Sequence, residues 1–301
     1  MTEILARALG ASRRYGDVVA LDNVDLDVPA GSMIGLLGPN GAGKSTLLNL
    51  LVGLRKPTSG SVELFGGSPL DASRRQGLGM TPQQTGLPPT LRVREVIDFV
   101  SAHYAHPIPV PEVLAQFELT DLARRQTGAL SGGQQRRLAV ALAFVGRPRL
   151  VVLDEPTTGL DVGARHTLWD AIRTFHDNGG TVLLTSHYLE EVEALAQRVV
   201  VLGDGKVLAD GSVAEIRGQL ARSTVSFRAN SPDLSTLTAL PGAVAYRRDG
   251  ERHVLQAADA DQLVRQLVVS GIEFHDLEVR AASLEEAFLA LTTIEKTGAL
   301  R

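Results

Sequence analysis

The run Gly38-Pro39-Asn40-Gly41-Ala42-Gly43-Lys44-Ser45-Thr46 satisfies the spacing G-x-x-x-x-G-K-[ST]. It lies between an apolar stretch, Met33-Ile34-Gly35-Leu36-Leu37, and a helix-forming one, Leu47-Leu48-Asn49-Leu50-Leu51. Strand, glycine-rich loop and helix in that order confine the chain to an α/β architecture with a phosphate site at a helix N-terminus. Glycines let consecutive N–H groups turn toward one anion, which a Cβ would obstruct. Lys44 is placed to reach the β and γ phosphates, Ser45 to offer its hydroxyl to Mg²⁺, and Thr46 to add a phosphate contact. The implied ligand is ATP or GTP.

A second strand brings the carboxylates. Leu150-Val151-Val152-Leu153 is continuously apolar, as in a parallel strand covered on both faces, and it delivers Asp154 and Glu155 at its C-terminal end, ahead of Pro156. Asp154 suits the Mg²⁺ shell. Glu155 suits orienting or deprotonating an attacking water, and the alternation of strand side chains should aim it away from Asp154. The apolar run Thr181-Val182-Leu183-Leu184-Thr185 leads in the same way to Ser186-His187. Ser131 precedes two glycines and a helical spacing of Leu138, Ala141, Leu142 and Val145, so it reads as an N-cap.

Leu130-Ser131-Gly132-Gly133-Gln134, Asp154-Glu155, Thr158-Gly159-Leu160-Asp161 and Ser186-His187 follow the phosphate loop in a fixed order. Together they resemble the ATP-binding cassette of ABC transporters over roughly residues 1 to 217. The resemblance implies an α/β phosphate-loop NTPase with a mixed sheet core, a small antiparallel β region and a helical subdomain at about 88–147. Its nucleotide would be ATP with Mg²⁺, held by Ser45, Gln83 and Asp154, and its catalytic set Glu155, His187, Gln83 and Lys44. Ser131, Gly132, Gly133 and Gln134 would close on ATP held by a second cassette, in a head-to-tail sandwich expected to be a homodimer. Tyr15 would stack on adenine, Asp161 would link the two composite sites, and His187 would sense the γ-phosphate. Gln84 competes with Gln83, although the order Pro82-Gln83 favours Gln83.

The same resemblance implies a separate integral-membrane permease that holds the transported substrate. It places the chain in the cytoplasm, peripheral on the inner face of a bacterial cell membrane. The C-terminal segment Ala282-Ser283-Leu284-Glu285-Glu286-Ala287-Phe288-Leu289 resembles the end of an extension on bacterial drug- and lipid-exporter cassettes, the daunorubicin-resistance type included, and with Thr157-Thr158-Gly159-Leu160-Asp161 it tilts the expected direction toward export. Two alternatives stand beside this reading: a soluble ABC ATPase of translation or DNA repair, and a nucleotide-dependent regulatory protein that does not turn over.

Composition fits such a chain. Its 301 residues are 44% hydrophobic and 21% charged, which is ordinary for globular domains, and zero cysteines exclude disulfides and thiolate metal sites. A net charge of −4 without a basic block argues against nucleic acid as a partner. No apolar run approaches the roughly 18 to 20 residues that span a bilayer, and the first residues lack a secretion signal.

Residues 4–32 read as short strands and turns, with Val24, Leu26 and Val28 alternating. Val93, Val96, Ile97 and Val100, then Val113, Leu114, Phe117 and Leu122, carry helical spacing. The nucleotide motifs end by about Gly211 to Gly218, leaving residues 218–301 as a small accessory α/β domain. There, 224–228 and 253–256 read as strands and Leu263 to Val269 as a helix. Ile272 to Val279 returns to alternation, and Ser283-Leu284-Glu285-Glu286 opens a last helix as a capping box.

Overall fold

Apolar alternation in the first thirty residues builds two long strands, β1 (Ile4–Tyr15) and β2 (Val18–Pro29), where short ones were expected. They continue into β3 (Met33–Leu37), α1 (Lys44–Leu51), β4 (Ser59–Leu64), β5 (Leu78–Thr81), α2 (Val93–Ser101), α3 (Val110–Gln116) and α4 (Gly132–Phe144). After these come β6 (Leu150–Asp154), α5 (Val162–Asp177), β7 (Thr181–Thr185), α6 (Leu189–Leu195), β8 (Arg198–Gly203) and β9 (Lys206–Ser212). The computed structural model describes residues 2–83, 86–218, 223–229 and 234–298, with side chains through Thr292. They divide into two compact units, Met1–Asp210 and Gly211–Arg301.

In the first unit a six-stranded sheet has the order β5-β6-β7-β3-β8-β9. Strands β5, β6, β7, β3 and β8 pair in parallel, and every residue of β3, β6 and β7 is buried. That two-sided burial is why these strands read as unbroken apolar runs. Strand β9 follows β8 across Asp204 (φ 38°) and Gly205 (φ 80°), two left-handed residues as a tight hairpin requires. A separate antiparallel sheet has the order β2-β1-β4. Leu47, Leu48, Leu50 and Leu51 of α1 share one core with Leu5, Val24, Leu26 and Val28 of this sheet and with Leu36, Val152 and Leu183 of the other. This fixes the helix that carries the phosphate loop between two sheets. Helix α2 buries Val93, Val96 and Ile97 and α3 buries Val113 and Leu114, and the ring of Phe117, just after α3, lies 5.2 Å from that of Phe144 on α4.

The second unit contains α7 (Val213–Gly218), β10 (Ser223–Ala229), α8 (Leu234–Thr238), β11 (Ala243–Asp249), β12 (Arg252–Ala257), α9 (Ala260–Val269), β13 (Phe274–Ala281) and α10 (Leu284–Gly298). Its sheet order, β11-β12-β10-β13, with all pairs antiparallel, makes β10 to β13 a βαββαβ arrangement of the ferredoxin-like kind. Val225, Phe227, Leu237, Leu255, Leu263 and Leu267 form its core. Ser283 and Glu286 exchange backbone-to-side-chain bonds of 2.8 and 3.1 Å, capping α10.

Candidate functional site

The chain leaves buried β3 at Leu37 and turns through 38–43 into α1. Gly41 and Gly43 have φ of 85° and 98°, the left-handed region that favours glycine. A Cβ on Gly43 would lie 2.4 Å from the carbonyl oxygen of Ala20, and one on Gly38 would lie 2.6 Å from that of Leu202. Only glycine fits. Lys44 is 6% exposed, and its Nζ donates to the carbonyls of Gly38 at 2.6 Å and Pro39 at 3.1 Å. Burial pulls its pKa below the ordinary lysine value, against the opposing pull of Glu155 and Asp154. In front of the loop a cavity of about 340 Å³ is lined by Tyr15, Ala20, residues 40–46, Gln83 and Glu155. Gly38 and Pro39 are not among its lining residues.

At the C-terminal end of β6 one hydroxyl ties the Asp154 carboxylate to the Glu155 backbone. Thr185 Oγ1, at the end of neighbouring β7, donates to Asp154 Oδ1 at 2.6 Å and accepts from the backbone N–H of Glu155 at 2.9 Å. Glu155 has φ 53° and lies beyond the strand, so a left-handed backbone, and not strand alternation, aims its side chain. Its Oε2 accepts from Gln83 Nε2 at 3.1 Å, and its Oε1 lies 2.6 Å from His187 Nε2. Gln83, Glu155 and His187, far apart in sequence, therefore form one cluster, of which Gln83 and Glu155 line the cavity. Behind them the buried Glu191 accepts from Thr157 Oγ1 at 3.0 Å and Trp169 Nε1 at 3.1 Å. Burial raises the Glu191 pKa, while bonds from Ser186, Thr157 and Trp169 act to lower it.

This arrangement, a phosphate cradle facing a buried carboxylate cluster at the carboxyl ends of parallel strands, has close relatives. The chain is 37% identical over 298 residues to the daunorubicin resistance ATP-binding protein DrrA3 of Streptomyces coeruleorubidus, spanning 94% of each chain. Residues 21–158 match the ABC transporter family. The chain belongs to the ABC transporter family. Within it, this is an ATP-binding cassette and an ATPase. It is also 42% identical over 290 residues to a Nod factor export ATP-binding protein I of Burkholderia pseudomallei, with 93% of this chain and 94% of that one covered. Among solved structures it resembles an ATP-binding subunit of an ABC transporter at TM-score 0.67 and 28% identity, over 72% of this chain and 93% of that one. A dimeric cassette in a post-hydrolysis state with ADP and Pi matches at TM-score 0.63 and 28% identity, over 69% of this chain and 98% of that one.

Ser131, Gly132, Gly133, Gln134 and Asp161 are not among the residues lining the cavity, whereas Tyr15 is. Ser131 caps α4: its Oγ accepts from Gln134 N at 3.2 Å, and Gln134 Oε1 accepts from Ser131 N at 3.0 Å. The Ser131–Gln134 turn is not among the cavity-lining residues, and Gly133 instead abuts the backbone at Gly159 and Leu160. Asp161 caps α5, accepting from Ala164 N at 2.8 Å. Tyr15 is 42% exposed, with the Arg13 guanidinium 4.7 Å from its ring centre. Asp154 is not among the cavity-lining residues, though its neighbour Glu155 is, and Gln84 falls outside the described residues.

Sequence reasoning missed Thr185, Glu191 and Arg136. For Arg136 a signal was available: it falls three, four and seven residues before Ala139, Val140 and Ala143, on the buried stripe of α4. A charge on that stripe has to meet buried polar atoms.

Proposed function

We propose that the chain energises export through a separate membrane permease by binding and hydrolysing ATP as a homodimer with two composite sites. The convergence of Gln83 and His187 on the buried Glu155 beside the phosphate cavity carries the reading, because a general base must be held and oriented where phosphate oxygens and water meet. In this reading Glu155 orients or deprotonates the attacking water, His187 senses the γ-phosphate, and Lys44 leaves its loop carbonyls for the β and γ phosphates. Tyr15 packs on adenine. Ser131, Gly132, Gly133 and Gln134 cap the nucleotide of the second copy, and Asp161 passes between the two sites.

Ser45, Gln83 and Asp154 offer a hydroxyl, an amide oxygen and a carboxylate, the hard oxygen donors that suit Mg²⁺. When bound, that ion neutralises charge on the β and γ phosphates. The names of the drug-resistance and Nod-factor-export relatives support the export direction. Among the described residues no helix is long and apolar enough to cross a membrane, so the substrate path belongs to the permease. The chain then sits on the cytoplasmic face of the cell membrane, residues 1–217 acting as the cassette and 218–301 as an accessory domain.

Steady-state phosphate release by the purified chain, with and without its permease in lipid vesicles, tests this. ATP-dependent release that the permease stimulates is expected. A chain that binds ATP without turnover, or whose turnover ignores the permease, contradicts it.

A further inference from the structure

Arg136 is 7% exposed and sits four residues, about 6 Å of helix rise, inside the serine-capped end of α4. Its guanidinium gathers five main-chain carbonyls from two distant segments. Nη1 donates to Pro82 at 2.6 Å and to Gln83 at 3.3 Å. Nη2 donates to Asp154 and, at 2.9 Å, to Glu155, while Nε donates to Pro156 at 3.2 Å. Only a planar fork spreads donors over so many acceptors at once; a lysine ammonium is a single point with three. Burial opposes the charge, and Asp154, Glu155 and Glu191 favour it.

The carbonyls at 82 and 83 belong to the segment that brings the Gln83 side chain to Glu155. Those at 154–156 belong to the backbone that bends left-handed at Glu155 (φ 53°). We propose that Arg136 is a positioning residue that clamps both segments to α4. The serine-led tip of that helix and the Gln83–Glu155 pair of the same chain then move as one body. The inference rests on the composite-site reading above, in which the helix tip meets the second copy's nucleotide while Gln83 and Glu155 serve the chain's own. One rigid clamp in each chain thereby makes closure of one site set the catalytic geometry of the other.

The test uses Arg136→Lys and Arg136→Gln in the full-length chain, comparing kcat, KM, ATP affinity and the Hill coefficient with wild type, each variant checked for folding by circular dichroism. Loosening a catalytic group by a fraction of an ångström should lower kcat about 10- to 100-fold with KM and ATP affinity nearly unchanged. The Hill coefficient should fall toward one, and lysine should not rescue. A folded variant with wild-type kcat overturns the clamp, as does a loss of kcat matched by an equal loss of ATP affinity. A wild-type chain that releases no phosphate overturns the underlying reading and this proposal together. Wild-type turnover that depends on Lys44 and Glu155 but ignores Arg136 overturns the proposal alone.

Discussion

His187 Nε2 lies 2.6 Å from Glu155 Oε1, while the other oxygen of that carboxylate takes the amide of Gln83 at 3.1 Å. The histidine ends one strand connection and the glutamate another, and Thr185 ties the two strand ends together through Asp154 Oδ1 and the Glu155 N–H. A carboxylate held on both oxygens is oriented, as the general base proposed for this site must be.

Replacing the proposed base while keeping its shape isolates the proton step. Glu155→Gln should reduce ATP hydrolysis by roughly 10² to 10⁴, about 2.7 to 5.5 kcal/mol of transition-state stabilisation. ATP binding should persist and an ATP-bound dimer should accumulate on gel filtration. Near-normal turnover would reject the role of Glu155.

Lys44→Ala removes the ammonium that now rests on the Gly38 and Pro39 carbonyls. A charge-assisted hydrogen bond is worth about 1.5–3 kcal/mol, so ATP affinity should weaken roughly 10- to 150-fold. A nucleotide titration with unchanged affinity would contradict the assignment.

Ser131→Ala removes the N-cap of α4. The first unit should lose about 1 kcal/mol, within 0.5–2 kcal/mol. Trp169, the chain's single tryptophan, is buried in that unit, so urea unfolding followed by its fluorescence reads the loss directly. An unchanged midpoint would mean that the cap bond contributes nothing.

Glu191 gives a pH signature. Its folded pKa is raised above the usual carboxylate value chiefly by burial, so between the unfolded and the raised folded pKa the folded chain binds more protons than the unfolded one. The stabilising contribution is therefore complete below the unfolded pKa and is lost as pH rises through the raised folded value. The melting temperature of wild type minus that of Glu191→Gln should fall across that window. A difference that grows with pH would show that the bonds from Ser186, Thr157 and Trp169 outweigh burial, and a flat one that they cancel it.

Legibility in the sequence followed the range of the interactions. The phosphate loop, the Ser131 cap and the Ser283–Glu286 cap could be read because each depends on residues within a few positions of one another. Strand β11 and helix α8 escaped notice: β11 leaves Val244, Ala245, Arg247 and Arg248 exposed and α8 is five residues long, so neither carries a periodic signal. The backbone turn at Glu155 also escaped, since no local residue type announces φ 53° there. Thr185, Glu191 and Arg136 make their decisive bonds to segments 18 to 54 residues away. Such partners are set by the fold.

Specific ATPase activity measured against protein concentration, alongside the monomer–dimer distribution, addresses the proposed composite site most directly. Activity per chain should rise with the dimer fraction and vanish as the protein is diluted to monomer. Full activity per chain from a strict monomer would contradict it.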